Sequence, residues 1–188
     1  VTKVYPKNSH VMFDADKELF KKSPFIIDKY VRESVNFKYL QSVEFADDAV
    51  EIQGFSVIPG LSIKSFSDRD YSFYLVNSKS RKRIPLSYED VETGKLTSFD
   101  IRFGRGFSYD KAGYKISIPY SDVYNNPDFY GENRIWVSFS QEGIEHNFFA
   151  GSAKANVRDT SDMHARIYEN TYFRFKYTPK NEIILEIE

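Results

Sequence analysis

The sequence predicts an all-β protein: an antiparallel β-sandwich, immunoglobulin-like in a loose sense, with a short N-terminal helical appendage. Three observations lead there. Aromatic residues are abundant, with 17 Phe and 14 Tyr against 9 Gly, and aromatics favour pleated, half-buried surfaces. From about Phe37 onward apolar residues recur with a period of two in runs of about six, parted by Gly, Asn, Asp and Pro turns. After Leu40 nothing resembles a long helix, which argues against a doubly wound α/β fold.

The chain opens differently. Residues 1–36 read as a linker or appendage and residues 37–188 as the sandwich domain. "VYPKNSHVMFDADKEL" is polar and irregular. In "KKSPFIIDKYVRESVNF", Ser23 suits a helix N-cap and Pro24 the first helical position. Ile26, Ile27, Tyr30 and Val31 then recur at spacings of three and four, which predicts a helix of about ten residues.

The strands follow in order. In "AVEIQG", Val50 and Ile52 alternate with Glu51 and Gln53. "YSFYLVN" and "KRIPLSY" flank a short polar turn and read as a hairpin. "YKISIPY" alternates fully, with Tyr114, Ile116, Ile118 and Tyr120 on one face. "RIWVSFS" sets Ile135, Val137 and Phe139 against Trp136, Ser138 and Ser140, and "IEHNFFAGSA" pairs with it across the turn "QEG". "YFRFKYT" and "EIILEIE" flank "PKN", with Phe173, Phe175, Tyr177 and Ile183, Leu185, Ile187 inward. The alternation leaves open which sheet face Trp136 occupies, and so whether it is a core, interface or sugar-stacking residue.

Composition narrows the chemistry. A net charge of −1 gives no overall attraction to nucleic acid or an anionic membrane, so recognition falls to local patches. Without cysteine there is no disulfide framework, thiolate zinc site or cysteine nucleophile. No apolar run approaches the ~20 residues of a membrane span. His10, His146 and His164 lie at spacings that pair no two as metal ligands, and no cofactor motif is present. "SYDK", Ser108 to Lys111, has the Ser-x-x-Lys spacing of penicillin-recognising enzymes. It precedes a strand rather than lying in a helix, and its partner motifs are missing. "DADKE" begins like a calcium loop, but Leu19 and Phe25 stand where the glycine and final carboxylate belong. Paired carboxylates for glycoside hydrolysis are invisible to sequence, and 27 acidic residues supply such pairs by chance. The chain reads as non-catalytic.

Binding signals are stronger. "NSKSRKRI" gathers Lys79, Arg81, Lys82 and Arg83 at the first hairpin, and "IRFGRGFSY" adds Arg102 and Arg105. Guanidinium forks suit phosphate oxygens, and Tyr88, Phe107 and Tyr109 are the nearby candidates for stacking on sugars. The plainer account is that these cations solvate a hairpin tip and guard an edge strand from pairing.

"FADDAVEIQGFSVIPGL", an acidic turn, a strand, a glycine and a second apolar run, resembles the opening element of certain β-sandwich accessory domains. These are the C-terminal immunoglobulin-like modules of Gram-positive wall-teichoic-acid glycosyltransferases and of CDP-glycerol glycerophosphotransferases. "YDKAGYKISIPYSDVY", "GENRIWVSFSQEGIEHNFFAG" and "NTYFRFKYTPKNEIILEIE" are similar to their later elements. The resemblance covers about four-fifths of the chain, with Gly113-Tyr114 a mild departure. It implies a non-catalytic module of a teichoic-acid transferase, cytoplasmic at the inner face of the membrane, with the catalytic domain upstream. The module would bind an anionic cell-wall polymer or glycan, or assemble the enzyme into homo-oligomers, often trimers. Polymer binding would fall to Arg81, Lys82, Arg83, Arg102, Arg105, Tyr88 and Tyr109, without metal, cofactor or nucleic acid. A scaffold with no ligand is the main alternative, and a glycan hydrolase a lesser one.

Overall fold

The computed structural model describes residues 3–7, 10–14, 37–58, 61–93, 108–151 and 165–188. The N-terminal helix expected from Ser23 onward, the Pro59-Gly60 turn, and Arg102, Arg105 and Phe107 lie outside the described residues. The opening stretch differs from its irregular reading: β1 (Lys3–Lys7) and β2 (His10–Asp14) pair as an antiparallel hairpin. Polar and charged residues interrupt both five-residue segments, so no clean two-residue period betrays them.

The main body is all-β. Its strands are β3 (Phe37–Phe45), β4 (Ala49–Val57), β5 (Arg69–Asn77), β6 (Arg83–Val91), β7 (Gly113–Pro119), β8 (Gly131–Gln141), β9 (Ile144–Phe149), β10 (Ala165–Tyr168), β11 (Thr171–Tyr177) and β12 (Ile183–Ile187). The hydrogen-bonded order is β10-β11-β12-β8-β5-β6-β7-β4-β3, with β9 also on β8 and every pairing antiparallel. β6 makes the corner. Its residues 83–86 pair with β5 in one layer, and residues 87–91 pair with β7 in the other. β8 is the longest strand and carries β12 and β9 end to end along one side, with β5 on the other.

The ends of the sheet approach each other to give a barrel-like sandwich. From β10, the Arg166 guanidinium donates to the carbonyls of Phe45 (3.2 Å) and Ala46 (2.6 Å) at the β3–β4 turn. Phe45 meets Phe175 at 4.9 Å, and Tyr120 stacks on Tyr168 at 4.7 Å. The alternation expected of β7, β8, β11 and β12 holds: Ile116, Ile118, Ile135, Val137, Phe173, Leu185 and Ile187 are all buried. Central position also buries Ile184 and Glu186 on the opposite face of β12. The Glu142-Gly143 turn has φ of 50° and 77°, the left-handed pair that matches strand twist in a two-residue hairpin.

The layers are held together by polar side chains as well as by rings. Arg69 on β5 is buried and reaches across the corner. Its Nε donates to the Lys111 carbonyl (2.9 Å), Nη2 to Gly113 (2.7 Å) and Nη1 to Asp90 (2.9 Å), while its guanidinium lies 4.6 Å from the Tyr71 ring centre. The Tyr71 hydroxyl accepts from Ser56 N–H (2.9 Å) and lies 2.9 Å from the Ala112 carbonyl. Burial raises its pKa well above the usual phenol range. Among the described residues no helix is long and apolar enough to cross a membrane.

Candidate functional site

The basic tip expected from "NSKSRKRI" is the β5–β6 connection, and buried amides build it. Asn77, 1% exposed, closes the turn: its Oδ1 accepts from Lys79 N–H (2.9 Å) and Ser80 N–H (2.8 Å). Its Nδ2 donates to the Tyr130 carbonyl and to Asn133 Oδ1, both at 3.1 Å. Asn133 is fully buried, with Nδ2 within 2.7–3.2 Å of the carbonyls of Phe129, Gly131 and Leu185. Ser80 Oγ donates to the Asp128 carbonyl at 2.8 Å. Arg81 sits at φ 63°, a left-handed conformation unusual for a side-chain-bearing residue and held here by the turn. Lys79, Arg81, Lys82 and Arg83 are all exposed, and no described carboxylate pairs with any of them.

The expected stacking tyrosines lie elsewhere. Tyr109 is 2% exposed, so its ring has no face open to a sugar. Tyr88 belongs to the second half of β6, and its ring meets Tyr71 and Phe73 edge-on at 6.1 and 5.2 Å, on the core side. Of the seven residues expected to bind polymer, the structure therefore gathers Arg81, Lys82 and Arg83. The turn at Asp110-Lys111 ends "SYDK" as a lead-in to β7, with Lys111 paired to Glu92. Among the described residues no cluster of three His, Cys, Asp or Glu side chains suits a metal.

Sequence reasoning missed the rings that do lie near the tip. Tyr71, Phe73 and Leu75 point inward along β5, so Tyr74 points out, and the Arg83 guanidinium lies 5.2 Å from its ring centre. The registers Pro85↔Tyr74, Tyr74↔Trp136 and Trp136↔Phe149 place these residues in one row across four strands. Trp136 thus lies on the outward face, edge-on to Phe149 at 5.2 Å. All three rings are half-buried. The signal was available in principle: alternation on β5 and β8 fixes the parity, and the hairpin register does the rest.

Parallel rows flank the rings. On one side, Val76↔Arg83 and Val76↔Arg134 set two guanidiniums two strands apart. Arg134 also lies 5.3 Å from the Phe149 ring centre and 3.6 Å from Glu182. On the other side, Ser72↔Ser138 and Ser138↔Asn147 set hydroxyl and amide groups in line. Farther along the face, Glu186 receives Arg174 and Lys176. Burial works to raise the Glu186 carboxyl, but these two partners prevail and hold it below its ordinary value.

No family model and no curated protein matches the sequence. The architecture does have solved counterparts. A crystal structure of S. aureus TarS superposes with a TM-score of 0.52 at 8% identity, over 100% of this chain and 27% of that one. The likeness is one of fold. A fragment, TarS 217-571, gives 0.49 at 9% identity, over 81% of this chain and 38% of that one. The chain thus spans well under half the length of the structures it resembles.

Proposed function

We propose that this chain is a non-catalytic accessory module of a cell-wall polymer transferase, and that its β5–β6 tip holds an anionic polyol-phosphate polymer. The observation that carries the proposal is the tip itself. Lys79, Arg81, Lys82 and Arg83 present unpaired cations on a turn fixed by the buried Asn77–Asn133 pair. Arginine forks match phosphodiester oxygens, and a rigid turn limits the entropy lost on binding. The fold shared with TarS, a teichoic-acid glycosyltransferase, supports the cell-wall context. In this reading the catalytic domain belongs to the same larger enzyme, working in the cytoplasm at the inner membrane face.

The test is a titration with poly(ribitol phosphate) and poly(glycerol phosphate) at two salt concentrations. Saturable binding that weakens with salt, and that the double substitution Arg81→Glu and Arg83→Glu abolishes without changing particle size, is the expected result. Salt-insensitive binding, or full affinity in the double variant, would refute the assignment.

One observation favours a second reading, an assembly scaffold with no ligand. Ile167 is 69% exposed on β10, a strand at one end of the hydrogen-bonded order. An exposed apolar side chain on an end strand suits contact between copies. A particle of about 22 kDa in light scattering would count against it.

A further inference from the structure

We propose that the outward row Tyr74–Trp136–Phe149 is a sugar subsite beside the basic tip, so that the module recognises a hexose ring carried next to a phosphodiester. This rests on the polymer-binding reading and adds the part of the ligand that the cations do not explain. Three features of the outward face of β5, β8 and β9 carry it. The rings of β5, β8 and β9 lie on adjacent strands, roughly 5 Å apart, and give an apolar strip for the C–H faces of a pyranose. Arg83, and Arg134 with Glu182 at 3.6 Å beside it, stand along one side of that strip, about 7 Å away at two residues along a strand, and Arg83 is the cation placed for a phosphate. Ser72, Ser138 and Asn147 stand along the other at the same offset; Ser138 Oγ and Asn147 Nδ2 each donate to the Glu145 carboxylate at 3.4 Å, and that carboxylate with the Ser72 hydroxyl is what can meet ring hydroxyls. Stacked ring, charged flank and hydrogen-bonding flank together match the three chemistries of a glycosylated phosphodiester: apolar sugar face, anion and hydroxyls.

Trp136 is the sole tryptophan of the chain and lies at the centre of the row, so its emission reports directly on the subsite. The experiment titrates the chain with poly(ribitol phosphate) bearing hexosyl substituents, with the unsubstituted polymer, and with glucose 1-phosphate, following Trp136 fluorescence. The substituted polymer should bind about tenfold more tightly than the bare one, the scale of one aromatic contact, and should shift the emission. Tyr74→Leu, which keeps side-chain bulk but removes the ring, should bring the substituted polymer down to the level of the bare one. Because the Arg83 guanidinium lies over the Tyr74 ring, the readout is the ratio of the two affinities within each variant. A saturable emission shift with glucose 1-phosphate would locate recognition in a single sugar phosphate; its absence beside a shift with the polymer would require repeated contacts. Equal affinity for the two polymers, or a preference that survives Tyr74→Leu, would overturn the subsite while leaving the basic tip standing. Failure of both polymers to bind would overturn the functional reading beneath it.

Discussion

Replacing Arg69 by methionine tests what joins the two layers at the corner. The guanidinium is 3% exposed and donates to two backbone carbonyls, Lys111 and Gly113, and to the Asp90 carboxylate. Methionine fills much of the volume but donates nothing, so both carbonyls lose their Arg69 donor. Each such loss costs about 1–3 kcal/mol. Removing a buried cation relieves its desolvation and offsets part of that. The net expectation is a loss of about 2–4 kcal/mol, or roughly 5–12 °C in Tm for a chain of this size. The Asp90 side chain, by contrast, is 38% exposed and an Asn Oδ1 there can still accept from Arg69, so Asp90→Asn, which leaves the buried guanidinium without its carboxylate, should cost about 1–2 kcal/mol, less than Arg69→Met. Urea unfolding followed by Trp136 emission reads both variants on one scale. If Asp90→Asn were as costly as Arg69→Met, the ion pair and not the carbonyl bridge would join the layers. A loss below ~1 kcal/mol for Arg69→Met would refute the bridge itself.

Two further outcomes follow from packing and burial. A Cβ at position 54 would stand 2.6 Å from the Tyr39 carbonyl oxygen and 2.7 Å from the Tyr114 hydroxyl, so Gly54→Ala should cost about 1–3 kcal/mol in the same urea assay. His146 faces inward opposite Phe139 with its Nε2 buried and unpartnered, and burial lowers its pKa below the ordinary value. The unfolded chain then binds protons more readily than the folded one. Stability should fall as pH drops below about 6.5, the usual histidine value, down towards the depressed folded pKa. A His146→Leu variant should lack that part of the slope in denaturation curves between pH 7 and 5, and an unchanged slope would clear His146 of the effect.

Much of the fold was legible because period-two patterning is a direct imprint of the pleat. Tyr114, Ile116, Ile118 and Tyr120 alternate in the sequence and are each no more than 1% exposed. What alternation does not convey is which strand lies beside which. Tyr88 lies five positions from Arg83 on one strand, so alternation itself sets its ring inward and the cation outward, but it does not show that β6 changes partner from β5 to β7 after residue 86. Tyr109 was misplaced for a related reason: it precedes a strand, and only the packed corner reveals that Thr93 donates to its carbonyl (2.9 Å) in a buried position. The tip itself was visible as charge, but its rigidity comes from Asn77 and Asn133, 56 positions apart.

The continuous run of β6 through the corner also bears on how such a chain can change length over generations. Outward and inward residues alternate without a break from Arg83 and Pro85 through Leu86 to Ser87 and Tyr88, and the pairing with β5 and β7 shows no register shift. A single inserted residue there would turn the side chains of one half of β6 to the wrong face relative to the other half. β3 absorbs a shift between Leu40 and Ser42, and the turn before Arg83 is bounded by exposed residues. Lineages of this fold should therefore gain and lose residues at the β5–β6 turn and near Leu40, altering reach and charge there, while residues 83–91 keep a constant count.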